Sequence, residues 1–317
     1  MRFIKELREG DRVSEVYLCK SYLTLTAKNG NSYGSVVLQD KTGTIDGKIW
    51  KPANPGIDDF ASMDYVCITA DVKSFQGALQ LDISRVRRVD SADYKVADYL
   101  PASRYDADEM FREFTAILDT VKEAHLRALL RRFFVEDTEF VRRFRLHSAA
   151  KAVHHGFVSG LLEHTLSIIK LCDFYCLRYP ILNRDLLLTA AAFHDCGKVY
   201  ELSCFPENDY TDDGQLLGHI MIGYEKLSQA ISEIPDFPAK LATELKHCIL
   251  AHHGELEYGS PKKPALIEAL ALSMADNTDA KLEAMTELLE SAPDGSWLGF
   301  QRLFDSNVRR TSGATER

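Results

Sequence analysis

The run Leu186-Leu-Leu-Thr-Ala-Ala-Ala-Phe-His194-Asp195-Cys-Gly-Lys198 sets the reading of this chain. An uncharged apolar stretch followed at once by imidazole and carboxylate describes a central, buried helix that ends on polar groups. Leu187, Ala191 and His194 share one helical face, and Asp195 follows Ala191 by four. Polar groups on a core-facing stripe are costly unless something satisfies them. The same pattern recurs outward along the chain. Leu161, His164 and Ile168 form one stripe; Leu241, Leu245, Ile249 and His252 form another, with His253 four residues after Ile249. Leu266, Leu270, Ser273 and Asp276 form a further one, and His219 lies between. Any one of these alone reads more readily as a satisfied core histidine or a helix cap. As a set they need a common partner, and imidazole with carboxylate and no thiolate cage suits a divalent metal.

Composition bounds the rest. The 317 residues are 45% hydrophobic and 27% charged, a globular balance long enough for two domains. No stretch reaches the roughly 18 apolar residues of a membrane span, and the first residues lack a signal peptide's apolar core, so a cytoplasmic location is expected. Seven scattered cysteines without a Cys-x-x-Cys pair fit reduced thiols, and Cys172 and Cys176 read as core packing. The net charge of −9 falls beyond residue 90, since residues 1–90 are nearly neutral. No broad basic footprint exists, so any nucleic acid must be held by local groups.

The chain changes character near residue 90. Ser32 to Trp50, Tyr65–Val72 and Leu79–Ser84 are short β-rich runs, broken by the turn signal Asp40-Lys41-Thr42-Gly43. They predict a small barrel or sandwich. Residues 91–145 are expected to supply a linker and connecting helices, with Met110, Phe114, Ile117 and Val121 as one buried face. Residues 146–290 are expected to form an all-α domain. The tail, 291–317, carries Trp297, Phe300 and Phe304, part of which is expected to pack, and Thr311–Arg317 is expected to fray. The fold class is therefore α+β multidomain: an N-terminal β-barrel followed by a helical domain.

His164, His194-Asp195 and Asp276 resemble the His…His-Asp…Asp signature of the HD-domain metal-dependent phosphohydrolases, with His-Asp-x-Gly-Lys as its most recognisable piece. His219 and His252 are similar to the extension found in HD proteins that hold two metals. The resemblance implies an all-helical fold, with His164, His194, Asp195 and Asp276 on the first ion. His219, His252 and a bridging Asp195 would take the second, and His253 replaces or assists His252. Spacing leaves that choice open, because neighbours on a helix diverge by roughly 100°. Asp195 and Lys198 are the catalytic candidates. Mn²⁺ is the favoured ion, and Fe²⁺, Co²⁺, Mg²⁺ or Zn²⁺ suits the same ligands. Metal-activated water attacking a phosphodiester is the expected reaction. Lys198 would stabilise the transition state or steady the bridging carboxylate; the plainer reading is a solvated helix-end lysine.

Residues 30–50 resemble the strand–turn–strand core of nucleic-acid-binding OB folds, which stack bases on exposed aromatics beside Lys and Arg. Tyr22, Tyr33, Trp50 and Phe75 are the candidate stacking residues, with Lys28, Lys48, Lys51 and Lys73 for phosphates. Core packing is the competing reading for each aromatic. Lys151, His154 and His155 precede the first ligand and could take a phosphate or a 3′ end. An OB-like domain ahead of an HD domain, with Gly160-Leu-Leu-Glu-His164 and His252-His-Gly254, is similar to the YhaM-type 3′–5′ exoribonucleases. That resemblance implies action on single-stranded RNA, and on DNA as a further substrate. A homo-oligomer is a further expectation. The rivals are an HD phosphodiesterase of a small nucleotide and a non-catalytic nucleic-acid-binding protein.

Overall fold

A computed structural model describes residues 1–27, 30–90, 94–95, 98–151, 156–290 and 292–313. Strands β1 (Arg12–Thr26), β2 (Ser32–Asp40), β3 (Gly43–Ile49), β4 (Tyr65–Phe75) and β5 (Ala78–Arg88) close into a barrel of order β1-β2-β3-β5-β4. This is the OB topology expected from the sequence. β1 reaches round the barrel because its register with β2 slips between Cys19 and Ser21, which lets one long strand pair with both β2 and β4. Closure is completed by parallel pairing of β3 with β5. The Asp40 turn forms as read: Asp40 Oδ1 accepts from the Thr42 amide and hydroxyl, both at 2.6 Å.

The helical part opens with three helices that join the core of the domain. Helices α1 (Ala107–Leu118), α2 (Ala124–Arg131) and α3 (Thr138–Leu146) bury Met110, Phe114, Leu126 and Phe144 in one core with the helices that follow. Those are α4 (Gly160–Arg178), α5 (Arg184–Phe193), α6 (Lys198–Glu201), α7 (Asp212–Ser232), α8 (Ala239–Ala251) and α9 (Ile267–Glu290). The connecting helices expected within residues 91–145 thus share one core with the helices that follow. The reason lies in their side chains: a ring cluster of Phe114, Phe133, Phe134, Phe140, Phe144 and Phe193 ties α1, the turn after α2, and α3 to α5. Every residue from Leu186 to Phe193 is buried, as the opening run required.

Barrel and helices meet at Leu18, Tyr65, Tyr99 and Leu100, with Val158 and Phe205 packed on them. Beyond α9, strands β6 (Trp297–Gln301) and β7 (Ser306–Arg309) form a hairpin. Its Val308 is buried, but Trp297 and Phe300 remain exposed, so these two aromatics do not pack as expected. Among the described residues, no helix is long and apolar enough to cross a membrane.

Candidate metal centre

The polar ends of the helical stripes converge. His164 leaves the first turns of α4, and Asp276 the middle of α9. His194 is the residue that ends α5, and His252 the one that ends α8. These last two use the same device. In each, Nδ1–H donates at 2.7 Å to a carbonyl three residues back, Ala191 or Ile249, one of the carbonyls a helix end leaves without a partner. A neutral imidazole with its proton on Nδ1 presents Nε2 as an acceptor. The other histidines are fixed likewise. Nδ1 of His164 donates to Asp279 at 2.7 Å, that of His219 to Glu201 at 3.1 Å, and that of His253 to the Tyr258 carbonyl at 2.8 Å.

Five Nε2 acceptors are therefore aimed by their own backbones and carboxylates. They fall into two groups, His164, His194 and Asp276 in one, and His219, His252 and His253 in the other; within each group the ligand atoms lie within 4.8 Å of one another. Asp195 stands between them. Its Oδ2 is 3.4 Å from Nε2 of both His164 and His194, while Oδ1 is 3.4 Å from His219 and 3.8 Å from His252. Both His252 and His253 belong to the second group, so the choice between them is not forced.

These atoms fit a cation. Nε2 of His164 and His194 face one another at 3.2 Å. Asp195 Oδ1, His219 Nε2 and His252 Nε2 are buried without a hydrogen-bond partner. Each such group costs about 1–3 kcal/mol if left so. A divalent ion accepts lone pairs from all of them at once.

The charges at the centre act strongly on one another. Burial works against ionisation of Asp195, but Lys198 and the surrounding imidazoles outweigh it and hold the carboxyl well below its ordinary range. Burial also opposes a charged His164, yet Asp195, Asp276 and Asp279 keep that imidazole well above its usual value. His252, by contrast, is pushed well down by burial and then by its histidine neighbours. Lys198 pairs with Asp195 Oδ2 at 2.7 Å, so it is an inward-facing partner of the shared carboxylate and no solvated helix end. Burial drives the Cys196 thiol up to about 12, leaving it inert beside the ligands.

Two groups at this centre, Asp279 and Glu201, were missed in the sequence, and a third, Gly197, was quoted in the motif without a role. Asp279, one turn past Asp276, holds His164 and also accepts from the Ser167 hydroxyl. Glu201 holds His219. Gly197 lies where a Cβ would collide with the carbonyl of His219, so the glycine of the His-Asp-x-Gly-Lys motif lets α7 approach the turn after α5. The spacing of Asp279 behind Asp276 was the one available signal; nothing local marked Glu201.

Sequence candidates on the barrel separate into two kinds. Tyr22 is a correction: its ring stacks on Phe60 at 4.5 Å and packs against the barrel core. Trp50 and Phe75 are exposed, and Tyr33 lies beside Trp50 with centroids 5.4 Å apart. Lys48 Nζ sits 5.7 Å from the Tyr33 ring and donates to Ser35, while Lys51 is exposed. Lys73 is paired with Asp82, and Lys151 with Asp209 at 2.5 Å. Lys28, His154 and His155 lie outside the described residues.

The helical part and the chain as a whole have known relatives. The HD domain family model matches residues 161–281. The 3′–5′ exoribonuclease YhaM of Bacillus subtilis is 35% identical over 289 residues, 91% of each chain. That of Listeria innocua is 34% identical over the same share. Among solved structures, the second OB-fold domain of replication protein A from Methanococcus maripaludis aligns over 28% of this chain and 93% of that one, at 16% identity and a TM-score of 0.22. The strand order of the barrel, the two acceptor groups around Asp195 and the full-length likeness lead to one conclusion: this chain belongs to the YhaM family of HD-domain 3′–5′ exoribonucleases.

Proposed function

We propose that the chain hydrolyses phosphodiesters of single-stranded RNA from the 3′ end, with two divalent ions held on either side of Asp195. The observation that carries this reading is Asp195 itself, one oxygen toward each group of imidazole acceptors. His164, His194, Asp195 and Asp276 would hold one ion, and His219, His252, His253 and Asp195 the other. When bound, such ions supply an acidified water and neutralise charge on the phosphoryl oxygens. Mn²⁺ is the ion favoured for this set, since imidazole and carboxylate accept several metals and availability decides.

The chain's own residues do the rest. Lys198 offsets part of the negative charge of Asp195 and can turn a remaining N–H toward a phosphoryl oxygen. Trp50 and Tyr33 form a stacking platform on the barrel, with Lys48 and Lys51 beside it for phosphates. Phe75, at the tip of the β4–β5 hairpin, extends the exposed aromatic surface. Lys151 supplies a cation on the helical side, next to the Tyr210 ring. Stacking is indifferent to sequence, which suits an enzyme that must process every base.

The test is a time course with metal-stripped protein, Mn²⁺ restored, on RNA labelled at its 5′ end. A descending ladder of labelled products is expected, absent in Asp195→Ala and on chelation. Intact RNA beside hydrolysis of a small phosphodiester would move the substrate to a small nucleotide. Single-stranded DNA in the same assay sets the preference between the two polymers.

A further inference from the structure

One member of the second group of acceptors, His219, is held by a side chain outside both groups. His219 follows Gly218, whose φ of 74° and ψ of 158° break α7. At that break the His219 amide donates to Glu201 Oε1 at 2.9 Å, and the same oxygen accepts from its Nδ1 at 3.1 Å. One carboxylate oxygen thus sets both the backbone and the ring of this residue. Glu201 is itself held in place. Its carbonyl accepts from the Thr211 amide at 2.9 Å and from the Thr211 hydroxyl at 3.2 Å. A Cβ at Gly214 would strike that carbonyl, so α6 and the start of α7 meet backbone to backbone.

We infer that Glu201 is a positioning residue that decides whether the second metal position fills, by fixing the kink of α7 and the tautomer of His219. The inference rests on the two-ion reading above. Without the carboxylate, His219 is free to turn its ring and to carry its proton on either nitrogen. His164 and His194 keep their own anchors, Asp279 and the Ala191 carbonyl. Partners of metal ligands typically contribute about 10–100-fold in metal affinity. That loss is expected for one ion only.

The experiment is a Mn²⁺ titration of the metal-stripped full chain by calorimetry, with bound metal counted by mass spectrometry. Wild type, Glu201→Ala, Glu201→Gln and His219→Ala are compared, and each metal-free protein is melted. Wild type should take two ions per chain. Glu201→Ala should weaken the second by about 10–100-fold and leave the first unchanged. Glu201→Gln, whose amide oxygen still accepts both N–H bonds, should fall between. If the alanine variant does not fold, the glutamine variant decides. Wild-type affinity for both ions, or equal weakening of both, overturns the inference. A wild type that takes one ion, unaffected by His219→Ala, overturns the two-ion reading instead and removes the inference with it.

Discussion

The two groups of acceptors that meet at Asp195 are built on different kinds of backbone. His164 and Asp276 project from within continuous helices, α4 and α9, where each flanking turn fixes the direction of the side chain. His219 follows a break inside α7, and His252 and His253 lie at and beyond the end of α8. The first group draws its precision from those helices, from Asp279 on His164 and, at the end of α5, from the Ala191 carbonyl on His194. The second obtains it from Glu201, from the carbonyls of Ile249 and Tyr258, and from glycines that allow close approach. Acceptors on helix interiors and at helix ends or breaks are thus aimed equally well, and His219 alone among them sits behind a break inside its helix.

That contrast can be broken most severely at the residue both groups share. Asp195→Ala removes an oxygen from each, so Mn²⁺ affinity at both positions should fall beyond the roughly 10–100-fold that a supporting residue contributes. Calorimetric titration reads it directly; loss at one position alone would show that Asp195 does not bridge. A substitution on the first side sharpens the comparison. Asp279→Asn keeps an oxygen near His164 but loses the charge, and should weaken the first ion by up to about 10–100-fold while sparing the second. Equal weakening of both would mean that the two groups are coupled more tightly than their separate anchors suggest. The smallest effect is expected from a change that touches neither group. Trp50→Ala should cost about 1–3 kcal/mol of RNA binding, measured as a rise in Kd, with hydrolysis of a small phosphodiester unchanged. A fall in that hydrolysis would tie the barrel to the metal centre.

Legibility followed the same divide. The helical stripes ending in His164, His194 and Asp276 could be read from spacing, because a helix of 3.6 residues per turn makes faces countable. The turn at Asp40 and the barrel strands were legible for a similar reason, in the period of two and the turn chemistry. His252 and His253 could not be separated, since beyond the end of α8 the helical count no longer applies; the structure brings both to the site. Helices α1–α3 were read only as connecting helices, because their phenylalanines announce burial but not against which partner. Tyr22 and Trp50 show the same limit on the barrel, where one aromatic packs on Phe60 and the other stands in solvent.

The sequence by itself determined the imidazole and carboxylate donor set, the helical stripes that bear most of it and the two-part architecture, because each is written in local periodicity and side-chain type. Only the tertiary structure decided that one carboxylate faces both groups, that Glu201 and Asp279 hold two of the imidazoles, and that Gly197 admits the carbonyl of His219. Those are contacts between segments far apart in the chain. Their geometry is set by how helices pack around a shared core, which no local pattern specifies.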